Sequence, residues 1–161
     1  MSSPYEEMLQ GSPLVRGSPG SRHEQICVRL HHCVHASVAN LTSTTLLPAR
    51  TAVRLAPDTV LRPDLALLAI PTKRLWLAVE VVNSDDHAPD TVVKKQIYEE
   101  IRLPRLWMID PRYDNVEVYH ASPYGLVLKA ILAGSEILSE KLLPEFEITV
   151  SELFRTASAQ T

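Results

Sequence analysis

The sequence predicts an α/β domain: one mixed β-sheet flanked by two helices and followed by a β-rich C-terminal extension. Three observations carry this. Ile26, Leu30, Cys33, Val34 and Leu41 form a helical stripe over about residues 21–40. Val93, Ile97 and Ile101 form a second one over about 90–102. Around them lie short, near-continuous apolar runs at 65–70, 75–83 and 106–110, the pattern of strands covered on both faces.

In chain order, residues 1–20 read as a loose N-terminal segment, broken by Pro4, Gly11, Pro13 and Pro19, with one short strand at 13–16. Ser21 and Glu24 have the spacing of a capping box and open the first helix. Residues 51–55 read as a strand, and Pro57-Asp58 as a turn. Strands at about 62–70 and 75–83 follow, separated by the breakers Pro71-Thr72-Lys73. A polar loop spans 83–89, and Asp90 or Thr91 caps the second helix. Pro111 stops the 106–110 strand. A hairpin then runs out through Val116, Val118 and Tyr119, turns at Tyr124-Gly125 and returns over 126–130. After Gly134 the chain is expected to run irregularly through Leu143-Pro144 to a short helical end at 151–154. A single domain is thus expected over 21–155, with a tail at 156–161.

Composition narrows the function classes. The 161 residues are 45% hydrophobic and 22% charged, ordinary for a globular chain with a sizeable core. No apolar run approaches the roughly 20 residues of a membrane helix, and no signal-peptide core opens the chain, so the cytoplasm is the expected compartment. A formal charge of -3 weighs against tight, metal-free binding to a polyanion. Basic residues nevertheless gather locally at Lys73-Arg74, Lys94-Lys95 and Arg102/Arg105. Cys27 and Cys33 diverge by about two-thirds of a helical turn, so no disulfide is expected between them.

The chemistry lies in two acids. Glu80 interrupts the apolar run Leu75-Trp76-Leu77-Ala78-Val79-Glu80-Val81-Val82. An ionised carboxylate there needs a partner, a proton or a cation. Asp64 opens the preceding apolar run. If 71–73 are the hairpin loop, Ile70 faces Arg74 and Asp64 falls opposite Glu80 on one face. A loop one residue longer would put them on opposite faces. Two opposed buried acids repel, and a divalent cation is the usual remedy. The bland alternative for Asp64 is a salt bridge to Arg62. Lys94 shares a helix face with Tyr98 and Ile101 and is expected to turn inward; Lys95 is expected to face solvent.

A second constellation, His23, Cys27, His31 and His35, recurs every four residues on the first helix. These are zinc-ligand types. The ladder spans about 18 Å, so one ion could touch only two of its members, and the rest would have to come from elsewhere. The expected role is mixed packing beside the core.

Arg62-Pro63-Asp64, Glu80-Val81-Val82-Asn83-Ser84, Asp90-x3-Lys94-x3-Tyr98 and Leu106-Trp107-Met108-Ile109-Asp110-Pro111 stand in an order that resembles the putative restriction endonuclease domain family, a bacterial branch of the PD-(D/E)XK nuclease superfamily. The resemblance runs from about Gly11 to Phe154 and includes the close, Leu143-Pro144-x-Phe146 and Glu152-Leu153-Phe154. It implies a restriction-endonuclease-like core, with Asp64 as the superfamily's aspartate and Glu80 as its second acid. The signature lysine two residues beyond Glu80 is Val82 here, and Lys94 takes its place from the following helix. Glu24 is the candidate for an acid contributed by the first helix. The implied activity is metal-dependent hydrolysis of phosphodiester bonds in DNA. Mg2+, or Mn2+ in its place, would be held by Asp64, Glu80 and the Val81 carbonyl. Lys94 would orient water or neutralise charge, supported by Tyr98, and Tyr98 and Lys95 would lie on the substrate side. A homodimer would suit double-strand cutting. The alternative is an inactive nuclease-fold module for nucleic-acid binding or assembly.

Overall fold

The computed structural model describes residues 3–83 and 87–156. Ser84, Asp85 and Asp86 of the expected polar loop, and the tail from 157, lie outside the described residues. A hairpin of β1 (Tyr5–Leu9) and β2 (Ser12–Arg16) precedes α1 (Ser21–Val38). Next come β3 (Thr44–Leu46), β4 (Val53–Ala56), β5 (Thr59–Leu61), β6 (Leu65–Ala69) and β7 (Arg74–Val81). A π-helical turn, Pro89–Lys94, runs into α2 (Lys95–Glu100). The chain closes with β8 (Arg105–Asp110), β9 (Asn115–Ser122), β10 (Gly125–Ala133), β11 (Ile137–Glu140), β12 (Leu143–Thr149) and α3 (Val150–Phe154).

Six strands form the central sheet in the order β10-β9-β8-β7-β6-β3. It is mixed, as expected: β7 and β8 are parallel and joined through the α2 crossover, while its other pairs are antiparallel. Side-chain alternation splits the core in two. Leu65, Leu67, Leu77, Val79 and Val81 turn to one face, where Ile26, Leu30 and Val34 of α1 and Phe146 and Ile148 of β12 cover them. Ala78, Leu106 and Met108 turn to the other, under Ile97 and Tyr98 of α2 and Leu9 of β1.

Several expectations change. The N-terminal segment is not loose. It is the outer part of a second sheet, β2-β1-β5-β4, and it buries Glu7 and Arg16. Proline and glycine there punctuate a hairpin. Gly20, not Ser21, precedes α1, and Glu24 spends its carboxylate on Arg50 instead of a capping box. The stretch after Gly134 is a β11–β12 hairpin, paired from Ile137↔Thr149. Val93 points out, because a π-helical turn advances the chain by more residues per turn than an α-helix; Asp90 and Lys94 point in.

The β6–β7 register decides the site. The loop is the longer of the two alternatives: Ala69 pairs with Arg74 and Leu68 with Leu75, leaving four residues between the strands. On that register the acids would part. A bulge at Trp76 then inserts one residue, so that Leu67 pairs with Leu77 and Leu65 with Val79. The next step in that register brings Asp64 opposite Glu80. Loop and bulge cancel.

Candidate active site

The site lies where the N-terminal hairpin, α1, the β6–β7 end and the π-helical turn meet. Asp64 sits just ahead of β6 and is 3% exposed. Its N–H donates to the Val79 carbonyl at 3.0 Å, extending the ladder by one bond. Its Oδ2 accepts the Val81 N–H at 2.8 Å. Its Oδ1 meets His23 Nε2 and the Arg50 guanidinium, each at 3.0 Å. The His31 ring donates Nε2–H to the Asp64 carbonyl at 2.8 Å. Arg50, not Arg62, is therefore the cation beside Asp64, and it carries on to Glu24 Oε1 at 2.6 Å. Arg62 instead gives its N–H to Glu7 and its guanidinium to the backbone carbonyls of Glu6 and Arg50. Burial raises the Asp64 carboxyl, but the bond and charge of His23, the Lys94 charge and the Val81 N–H outweigh it and leave it low.

Glu80, on the face of the sheet shared with Ala78, is 2% exposed. Its Oε1 takes a hydrogen bond from Lys94 Nζ at 2.6 Å and its Oε2 one from the Tyr98 hydroxyl at 2.6 Å. Lys94 is fully buried and also donates to Glu7 Oε2 at 2.8 Å, with Asp90 4.0 Å away. The π-helical phase produces this: Asp90, Lys94 and Tyr98 all reach the sheet. Asp90 does not cap the helix as expected. Its carboxylate is forked by Arg16, at 2.9 Å on each oxygen, and accepts the Asn83 N–H. Arg16 donates onward to Glu7 Oε1 at 3.1 Å.

Asp64 and Glu80 thus occupy opposed positions but turn to different helices, Asp64 to α1 and Glu80 to α2. The structure brings Lys94 to Glu80 as the helix face predicted, and Glu24 into the same chain of contacts through Arg50. Tyr98 and Lys95, expected on the substrate side, make contacts within the chain. Tyr98 is fully buried, and its hydroxyl bonds Glu80, not Lys94. Lys95 is half-buried, its ammonium 4.8 Å from the centre of the Tyr119 ring, so it caps an aromatic face instead of standing free in solvent. At Val81 the observed contact is its N–H on Asp64.

Sequence reasoning missed Glu7, Arg16 and Arg50. Glu7 had a signal: it falls midway between Tyr5 and Leu9 on the inward side of β1, but Met8 on the other side blurs the alternation. Arg16 and Arg50 had none, since their partners lie 74 and 14 residues away in the chain.

Burial raises the Glu80 carboxyl to about 8, with Glu7, Asp64 and Asp90 adding to the rise and Lys94 opposing it. Lys94 itself stays protonated: burial disfavours its charge, but Glu80, Glu7 and Asp90 together prevail. A cleft of about 710 Å³, lined by Tyr5, Ser21, Glu24, Arg50 and Arg62, opens beside this network.

A mixed sheet whose paired strand ends carry two buried acids, with a lysine delivered by the next helix, defines a nuclease-like α/β fold. The chain belongs to the Uma2 family of putative restriction endonucleases, whose model matches residues 3–151. Among solved structures it is similar to a putative nuclease of the DUF820 group from Anabaena variabilis. The TM-score is 0.78 at 13% identity, covering 94% of this chain and 90% of that one. No curated protein matches the chain. Among the described residues no helix is long and apolar enough to cross a membrane.

Proposed function

We propose that this chain is a divalent-metal-dependent endonuclease that hydrolyses phosphodiester bonds in DNA and acts in the cytoplasm. The observation that supports this most is an unbalanced cluster. Glu80, Glu7 and Asp90 gather on Lys94 and Arg16, and beside them Asp64 and Glu24 share Arg50, five carboxylates to three lysine and arginine partners in these ion pairs. Carboxylates in excess inside a fold are the donor set of a hard, oxygen-binding cation, which fits Mg2+, with Mn2+ as a substitute.

In this reading Asp64, Glu80 and the Val81 carbonyl hold the ion. Bound there it would supply an activated water and offset charge on the phosphate. The chain's own residues do the positioning. Tyr98 fixes the plane of the Glu80 carboxylate through Oε2. Glu7 holds Lys94 by a second bond, so its ammonium keeps a partner when Glu80 turns to another cation. Lys94 then stands on Glu80, the inner acid of the pair, where a buried donor is worth most to a phosphate gaining charge. DNA would approach along the cleft of Tyr5, Arg50 and Arg62, and cleavage of both strands would call for two copies of the chain.

Incubation of the chain with single-stranded, duplex and branched DNA, in EDTA and in Mg2+ or Mn2+, tests this. Cleavage in the metal arms, absent in EDTA and from Asp64→Asn, is the expected result. No metal-dependent cleavage of any substrate above the Asp64→Asn background would overturn the reading in favour of a binding module.

A further inference from the structure

The ladder on α1 has a destination. A ring nitrogen of His23, Cys27 Sγ and an Asp64 carboxylate oxygen all lie within 4.8 Å of one another. We propose that these three residues form a site for a thiophilic transition-metal ion, Zn2+ or Co2+ in type, with a fourth position left to water or another ligand.

Ligand types and spacing agree. Nitrogen, sulfur and oxygen donors held at about 2.0–2.3 Å in a tetrahedron stand roughly 3.3–3.8 Å apart. His23 Nε2 and Asp64 Oδ1 are already at 3.0 Å, close to that spacing. His23 and Cys27 are one turn apart on α1, and Asp64 arrives across the sheet with its backbone carbonyl fixed by His31. That third ligand is what the helix by itself lacks. Charge closes as well: a thiolate and a carboxylate balance a divalent ion, while Arg50 and Glu24 balance each other.

Arg50 is the competitor. Its Nη1 lies 3.0 Å from Asp64 Oδ1 and 4.0 Å from Cys27 Sγ, and its Nη2 is already on Glu24. An incoming ion must displace one arm of this guanidinium. A groove of about 600 Å³ along α1, lined by Glu24, Cys27, His31, Pro48 and Arg50, provides the way in. His23 must also carry its ring proton on Nδ1, so that Nε2, whose N–H now faces Asp64, offers a lone pair, and Cys27 releases its thiol proton to solvent as the ion binds. The site stands on its own geometry. Its corollary, that a thiophilic ion and Mg2+ exclude each other because both use Asp64, rests on the nuclease reading.

Titration of the metal-free full chain with Co2+, followed by absorption, tests the site. One equivalent should raise a sulfur-to-cobalt charge-transfer band together with the visible bands of a low-coordinate ion. Zn2+ should abolish them. Cys27→Ser should remove the charge-transfer band and Cys33→Ser should keep it. His23→Gln should weaken Co2+ binding about tenfold or more, and Arg50→Gln should tighten it several-fold. Circular dichroism would establish that each variant is folded. Absence of the band in the wild type, or its survival in Cys27→Ser, overturns the proposal. Mg2+ distinguishes the two readings: excess Mg2+ should raise the Co2+ needed for half-saturation. A band indifferent to Mg2+ leaves this site standing and takes Asp64 from the magnesium reading. Metal-dependent cleavage without any band does the reverse.

Discussion

At the scale of single residues, the site turns on what is stranded when one charge goes. Lys94 touches Glu80 and Glu7 and faces Asp90, all buried. Lys94→Ala takes the cation from Glu80 and leaves Glu7 and Asp90 to share Arg16, and a buried charge that loses its partner costs about 3–5 kcal/mol. Chemical denaturation in EDTA should show that loss, and added Mg2+ should return part of it. In cleavage assays the same variant should lose about 100-fold or more in turnover, whereas Lys95→Ala should lose little, its ammonium being on Tyr119. Equal losses in the two would refute the assignment. Glu80 adds a pH dependence. Its carboxyl rises in the folded chain from 4.5 to about 8, so the fold binds more protons than the unfolded chain in that interval. Its contribution is complete below about 4.5 and is lost as the pH climbs through 8. Melting temperature in EDTA should therefore fall across that window, and Glu80→Gln should flatten the fall. A Glu80→Gln protein with the wild-type slope would mean that another group titrates. Asp64, held low, acts on the opposite side: its contribution is lost on acidification.

At the scale of elements, turns and hairpins hold positions that the strands alone would not. Gly125 opens β10 with φ +116, and a Cβ there would lie 2.5 Å from the Glu99 carboxylate. That carboxylate accepts the Leu126 N–H at 2.8 Å and ties α2 to the β9–β10 hairpin. Gly125→Ala adds backbone strain and displaces Glu99, so a loss of about 1–3 kcal/mol is expected in denaturant titrations. Gly17→Ala, with no positive φ and no atom within 4 Å, should stay within about 0.5 kcal/mol of wild type. The N-terminal hairpin is bound to the site through Arg16. Arg16→Met takes the guanidinium fork from Asp90 and one of the two cations from Glu7, and faster amide exchange over residues 5–16 should accompany a cost of up to about 3–5 kcal/mol. Exchange unchanged over those residues would show that the hairpin is held by its apolar contacts instead.

At the scale of the whole molecule, metal affinity and stability are linked. An ion that binds only the folded chain adds about 2.7 kcal/mol at 100 times its dissociation constant. For a domain of this size that is roughly 5–11 °C in melting temperature. Scanning calorimetry should find such a rise with Mg2+ in the wild type and none in Asp64→Asn. The chain carries -3 overall, so metal also bears on substrate: DNA retention should be weaker in EDTA than in Mg2+. Equal retention in both would place binding on the arginines of the cleft alone.

Periodicity and apolar runs determined the sheet, its two helices, the inward turn of Lys94 and the misplacement of Glu80, because each depends on neighbours within one or two turns of chain. Motif order determined the family. Register was out of reach. The sequence offered two loop lengths with opposite consequences, and the longer one occurs, its effect reversed by a bulge at Trp76 that nothing local announces. Partner choice was out of reach for the same reason. Asp64 could pair with Arg62, its neighbour in sequence, yet Arg50 takes it; Asp90 could cap a helix, yet Arg16 forks it. A buried charge takes whichever counter-charge the packed chain brings within about 3 Å, and that is settled by how the hairpin, helix and sheet close on one another. The same closure gives His23 and Cys27 a third donor in Asp64, which no count along the helix could supply.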